Sequence, residues 1–533
     1  MLLSIGLMVK NESKHLDTCL QSLMPILNKL DSELIIVDTG STDNSVEIAQ
    51  RYTDMVYHHE WFDDFAGMRN IVLSYCSGEW FFYVDGDEVV EDASGIVRFF
   101  KTGQHRKYNA AFIDMKNPYS SREIDGYSLF QALRFFRKDD DFHFKGIVHE
   151  QPQAKGPVAR VGGSIIHYGY ISDDPELMEY KFQRNVALIQ KVLSEDPDNI
   201  HHLYQLSQSY GMYGKYRDAL EPIEKAYCLA KKKGLAQYMN VVTQMASVYY
   251  QNQMFQQCEA ICREGLGTKS GYMDLAYYQA MSQAELGKSR ESIPLFKKYL
   301  SLVNQYESGQ GMIDFTIAHH TVRNKERAFA MLCGIYAKLG DYEKAEEYGT
   351  MVTAPELAKH VVPHLVDAYF NQDDYNAIRK LYNKWQHDEG ILSTIERAIE
   401  NKLLVATPQE KQEIARLFAD MGNTYGLLNA ARYHYLDGRD QVTLDFWRKI
   451  AEIDLNRKEV YYGDLILFCM NKGRSLVELL KNVRNENIMA YFSYLFGAYE
   501  QLTKEFRTLF NNKTLWETAE GDTQVYRIKT AII

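Results

Sequence analysis

The sequence predicts two successive architectures: an α/β domain with a mostly parallel sheet over about the first 170 residues, then an all-helical solenoid of repeats. Three observations carry this. Short apolar runs alternate with polar or helical stretches up to about residue 170. From about Pro175 the chain changes to long stretches rich in Leu, Ala, Tyr, Gln, Glu and Lys at helical spacing. Within those stretches one pattern returns about every 34 residues.

The whole chain is consistent with this division. At 533 residues it exceeds the size at which single cores stop growing, so two or three domains are expected. Hydrophobic residues at 46% and charged residues at 25% describe a chain that folds. The net charge of -11 argues against a partner made of nucleic acid, which needs concentrated Lys and Arg. Seven cysteines without a CxxC pair suit a reducing compartment, with no disulfides expected. "MLLSIGLMVKNESKH" has no basic region before its apolar run and no small-residue cleavage site, so it reads as a strand. No stretch approaches a membrane span. A cytoplasmic protein with no stable membrane insertion is expected.

Taken in order, "LSIGLMV" is a strand, "HLDTCLQSLMPIL" a helix, "ELIIVD" a strand, "STDNSVEIAQRY" a helix and "MVYHHEW" a strand. In "IIVDTGSTDNS" the strand ends in Asp38, then Thr39, Gly40 and Ser41 turn, and Thr42 and Asp43 begin a helix as N-caps. "WFFYVDGDEVV" buries a strand from Trp80 to Val84 and then presents Asp85, Asp87 and Glu88. In open α/β sheets ligands bind beyond the carboxyl ends of the strands, so Val9, Asp38 and Asp85 line one crevice.

In the second half, "YGMYGKYRDA", "YYQNQMFQQC", "QAELGKSRES", "YAKLGDYEKA" and "YFNQDDYNAI" align at Tyr216, Phe255, Ser289, Tyr342 and Tyr375. The steps are 39, 34, 53 and 33 residues, the 53 implying an insertion around "SLVNQYESGQGMIDFTIAHH". Leu206, Tyr210, Gly214, Tyr216, Ala219 and Ala226 place the first unit so that it resembles the tetratricopeptide repeat (TPR). Such helical pairs bury their apolar faces against neighbours and expose an extended concave surface. That surface either grips an acceptor or partner, or is a structural extension. Beyond residue 400 the repeat fades, with "AARYHYLDGRDQVTLDFW" as one further candidate unit. The expected domains are 1–175, 176–400 and a C-terminal helical region at 401–533.

The chemistry sits in the first part. Asp85 and Asp87 share one face of an extended backbone at roughly 7 Å, where an effective dielectric of about 20 gives a repulsion of about 2 kcal/mol. Either a cation sits there or the pair is a solvated acidic turn. Mg²⁺ takes only one or two protein carboxylates plus substrate phosphates, so a metal-bound diphosphate fits the first alternative. His201, His202, His319 and His320 lie in helical texture and read as incidental. Cys258 and Cys262 read as packing residues.

"VKNE", "IIVDTGSTDNS", "GMRN" and "FFYVDGDE", in this order, resemble the nucleotide-diphospho-sugar glycosyltransferases of family 2, which have the GT-A fold. The resemblance implies a UDP-sugar donor and Mn²⁺ or Mg²⁺. It places Asp38 at the nucleobase, Asp85 at the ribose or metal, Asp87 on the metal, Arg69 near the nucleotide and Glu12 beside the base or ribose. Val9 and Gly86 fall in the same nucleotide-sugar-binding set. Arg69 is otherwise a surface ion pair. An inverting transfer needs a base, and "FKGIVHEQ" offers Glu150 after a strand and beside His149, resembling a segment of some family members; the plain alternative is a salt-bridged Glu. His167, in "IIHYGY", is either a further metal ligand or a packed residue.

A short GT-A domain followed by helical repeats resembles bacterial enzymes that glycosylate polypeptides. This implies a peptide or protein acceptor at Ser, Thr or Cys, held by the helices. The alternatives are a transferase building a cell-surface glycan and an inactive repeat scaffold; homodimerisation is left open.

Overall fold

The computed structural model describes residues 1–118, 127–148, 150–170, 175–312, 314–436, 443–499, 508, 511–517 and 522–532. These fall into two compact units, Met1–Lys325 and Glu326–Ile533.

The first unit is built on a mixed sheet. Its strands are β1 (Leu3–Val9), β2 (Ser32–Asp38), β3 (Val56–His58), β4 (Trp80–Tyr83), β5 (Glu88–Val90), β6 (Ala110–Pro118), β7 (Tyr127–Arg137), β10 (Val158–His167) and β11 (Ala318–His319), with β8 (Phe144–Lys145) and β9 (Gln151–Pro152) forming a separate ribbon. The order is β3-β2-β1-β4-β7-β6-β10-β5, with β11 on β7. From β3 to β4 the neighbours are parallel. Beyond β4 the sheet is mixed: β7 is antiparallel to β4 and β6, and β10 is parallel to β6.

Apolar runs explain the central strands. Leu3, Ile5, Leu7, Trp80 and Phe82 face one core with helices α1 (Leu16–Leu27) and α4 (Ser94–Lys101). Ile35, Val37 and Phe81 face the other core with α3 (Phe65–Tyr75). A strand buried on both faces reads as a continuous hydrophobic run. The expected helix at Thr42 starts three residues later, as α2 (Ser45–Gln50). Asp43 instead accepts the Ser13 and Ser45 N–H groups at 3.1 and 3.0 Å, tying the loop after β1 to the loop after β2.

Helices α5 (Pro175–Glu195), α6 (Ile200–Met212), α7 (Leu220–Lys233), α8 (Met239–Gln251), α9 (Phe255–Thr268), α10 (Met273–Glu285) and α11 (Ser289–Glu307) complete the unit with β11. The turns at Gly214, Gln253 and Gly287 have positive φ, two residues before Tyr216, Phe255 and Ser289. In each the next N–H reaches back to a carbonyl five residues earlier, as from Lys215 to Tyr210 at 2.9 Å, the hydrogen bond of a Schellman cap. In the second unit Gly340 and Asp373 repeat this before Tyr342 and Tyr375, and Gly473 repeats it again without an aromatic residue. The candidate unit at 430–447 falls partly outside the described residues.

The 53-residue step also has a structural cause. Between α11 and the helix Lys325–Lys338, the chain leaves the helical array and adds β11 to β7, with Ala318 opposite Phe130 and His319 opposite Leu129. Phe315 packs on Phe112 of β6, ring centroids 5.0 Å apart. His319 is thus not incidental: it is 2% exposed with Nδ1 3.3 Å from Asp274, which also accepts the Thr321 N–H and hydroxyl. Cys258 and Cys262 are buried, as packing requires. Among the described residues no helix is long and apolar enough to cross a membrane.

Candidate active site

Strand register assembles the site. Val9 lies level with Asp38 across β1 and β2, and β4 releases the Asp85–Glu88 turn beside them. Antiparallel pairing of β10 with β5 sets His167 opposite Glu88, so the end of β10 reaches the same turn. Asp64 caps α3 by accepting the Gly67 N–H at 2.8 Å, and Arg69 follows one turn later on that helix.

Arg69 is the hinge of the acidic groups. Its guanidinium donates to Asp85 Oδ1 at 3.0 Å and, through Nε and Nη2, to Glu150 Oε1 at 3.0 and 2.7 Å. It is 3% exposed, so this is a buried bridge and not a surface ion pair. Glu150 carries the ion pair named as its plain alternative. It stands between the two-residue strands β8 and β9 and not at the end of a long strand. His149 lies outside the described residues.

Sequence reasoning missed three members. Arg134, the extra residue where β7 slips register against β6, donates to Glu88 Oε1 at 2.5 Å and lies 3.9 Å from Asp85 Oδ2. Two guanidinium carbons lie over the Tyr83 ring, Arg69 at 4.2 Å and Arg134 at 4.1 Å from its centroid. Lys181 of α5 places Nζ 3.7 Å from Asp87 Oδ2. Glu88 also has a place: its Oε2 accepts the Asp85 N–H at 3.0 Å, fixing the turn from within.

Burial acts on every charge here, and partners decide the sign. Burial raises the Asp85 carboxyl, but Arg69 and Arg134 outweigh it and hold the group below its ordinary value. At Asp87 burial is likewise overcome, by His167 and Lys181. Burial lowers His167, yet Asp87 raises it above its ordinary value. Glu12 and Glu88 go the other way, each raised to about 7 chiefly by burial, with Asp87 adding at Glu12 and Asp85 adding at Glu88.

The other residues expected to bind the donor stand at the neighbouring strand ends. Asp38 accepts the Gly40 and Ser41 N–H groups and lies 3.3 Å from His58 Nδ1. The Val9 carbonyl accepts both the N–H and the hydroxyl of Thr39. Gly86 leaves room for Glu12, whose Cγ would sit 3.1 Å from an added Cβ. Of the expected metal residues, Asp87 and His167 meet at 3.4 Å, while Asp85 is turned to the arginines. Among the described residues no group of three or more His, Cys, Asp or Glu is arranged to hold a metal ion. Two donors still fit a hard divalent ion that takes its remaining positions from phosphate and water.

Residues 4–148 match the description Glycosyl transferase family 2. The SPbeta prophage-derived glycosyltransferase SunS of Bacillus subtilis is 22% identical over 385 residues, 69% of this chain and 85% of that one. A TPR repeat-containing protein of Synechococcus elongatus is 35% identical over 182 residues, 32% of this chain and 43% of the relative. The lipopolysaccharide core biosynthesis glycosyltransferase LpsC of Rhizobium meliloti is 33% identical over 95 residues, 17% of this chain and 33% of the relative.

Proposed function

From the premise that this chain is a family 2 glycosyltransferase whose catalytic domain precedes TPR-like helices, we propose that it transfers a sugar from a UDP-sugar to a peptide or protein, with metal assistance and inversion. The observation that carries this is the gathering of Asp85, Asp87, Arg69, Glu150 and His167 around the turn that follows β4. The TPR-like helices support a polypeptide acceptor, because repeat arrays offer extended surfaces to extended chains.

Asp87 and His167 would hold Mn²⁺ or Mg²⁺. When bound, such an ion would supply positive charge to offset the charge that collects on the departing diphosphate. The acceptor Ser or Thr hydroxyl, or Cys thiol, attacks the anomeric carbon as its bond to the diphosphate oxygen breaks. Glu150 takes the acceptor's proton, and Arg69 keeps that carboxylate and Asp85 in one frame. Asp38 and Glu12 lie on the nucleoside side.

A second reading has its own support: the likeness to LpsC favours a surface-glycan acceptor. Incubation of purified protein with Mn²⁺, a panel of nucleotide sugars and candidate polypeptides, followed by intact mass spectrometry, tests both. A polypeptide gaining one hexose or N-acetylhexosamine supports the proposal. Nucleotide release with transfer only to a glycan supports the second reading. The enzyme reading fails if no sugar nucleotide is consumed and Asp87→Ala binds UDP as well as wild type.

A further inference from the structure

Lys181 lies on α5, beyond residues 4–148 that match the family. Its ammonium sits 3.7 Å from Asp87 Oδ2 and donates to the Gly169 carbonyl at 3.5 Å. Gly169 lets the chain pass close to Asp87 and His167: an added Cβ would lie 2.5 Å from both Asp87 Oδ2 and His167 Nε2. The helix that opens the helical half therefore delivers a cation to the acidic turn.

Exposure separates this cation from the others at the site. The Arg69 and Arg134 side chains are 4% and 8% exposed and are committed to Asp85, Glu150 and Glu88. Lys181 is 27% exposed, so a solvent-borne anion can reach it. An ammonium has three protons to donate, and its four-carbon stem swings where a buried guanidinium is fixed. A divalent ion on Asp87 would also repel it toward the nearest anion, the diphosphate.

Resting on the transferase reading above, we propose that Lys181 is a diphosphate-binding residue. It moves from Asp87 to the phosphates of the donor and stabilises them as the glycosidic bond breaks. The helical half thereby supplies part of the catalytic charge.

Calorimetric titration with UDP and with uridine, in Mn²⁺, separates phosphate contact from nucleoside contact. Lys181→Met should lose about tenfold or more in UDP affinity, the size of a charge-assisted hydrogen bond, with uridine affinity within about twofold of wild type. Lys181→Arg should recover part of the loss. Unchanged UDP affinity in Lys181→Met, or equal losses for UDP and uridine, overturns the inference. A second measurement on the wild type needs no variant: reductive methylation of Lys181, followed by peptide mass spectrometry, should be blocked by UDP and not by uridine. Methylation unaffected by UDP overturns the inference as well. Wild type that binds neither UDP nor uridine sinks the donor reading itself. Wild type that binds UDP while Lys181 proves indifferent sinks the lysine alone.

Discussion

Arg134 and Glu88 pair at the base of the acidic turn, where Glu88 is wholly buried and Arg134 6% exposed. Removing one partner of such a pair leaves an uncompensated charge, so Arg134→Met should cost about 3 kcal/mol in urea denaturation at pH 8. The loss should shrink toward pH 5. Glu88 is raised from 4.5 to about 7 in the folded state, and a raised carboxyl favours folding below its unfolded value. That contribution is lost as pH rises from 4.5 through about 7, and Glu88→Gln should flatten this dependence. Asp87→Ala should lower turnover by about two orders of magnitude or more, the scale set by removing one group that stabilises transition-state charge; nucleotide-release kinetics measure it. That Arg69, Asp85 and Asp87 are neighbours was legible because each stands in a local motif. Arg134 and Lys181 were not. One stands in an apolar strand and the other on a helix, and only sheet register and tertiary packing carry them to the turn.

Among elements, β11 shows how a solenoid is fastened to a sheet. The two strand residues contribute little alone, but Asp274 holds the segment by accepting from Thr321 at 2.8 and 2.6 Å and by pairing with His319. Asp274→Ala leaves those buried donors unpaired and should destabilise the first unit by about 2–4 kcal/mol. Burial pushes the Asp274 carboxyl up, but His319 and Thr321 outweigh it and depress it below 3.8. A depressed carboxyl contributes stability above its unfolded value and loses it as pH falls through the folded one. Acid denaturation should therefore begin at lower pH in wild type than in Asp274→Asn. The interval of 53 residues marked an insertion in the sequence. Its destination was hidden, because a strand's partner is a non-local choice that spacing cannot encode.

For the whole molecule, the change of texture near Pro175 and the boundary of compactness at Lys325 are different things. The first was visible in composition; the second depends on which surfaces the helices cover. A fragment of residues 1–175 lacks Phe315 over Phe112, lacks β11 and lacks Lys181. Residues 1–325 should melt cooperatively by circular dichroism and elute as a discrete species, whereas 1–175 should aggregate. Equal folding and equal UDP binding by the two fragments would contradict this account.

The pairing of β11 with β7 also sets an order in time. On the ribosome Phe130 emerges 188 residues before its partner Ala318, a delay of roughly 10–40 s at about 5–20 residues per second. Throughout that interval the catalytic sheet has an unfilled edge of the kind that recruits foreign strands. Synthesis that pauses before residue 318 should therefore raise the demand for chaperones, and faster elongation through the repeats should relieve it.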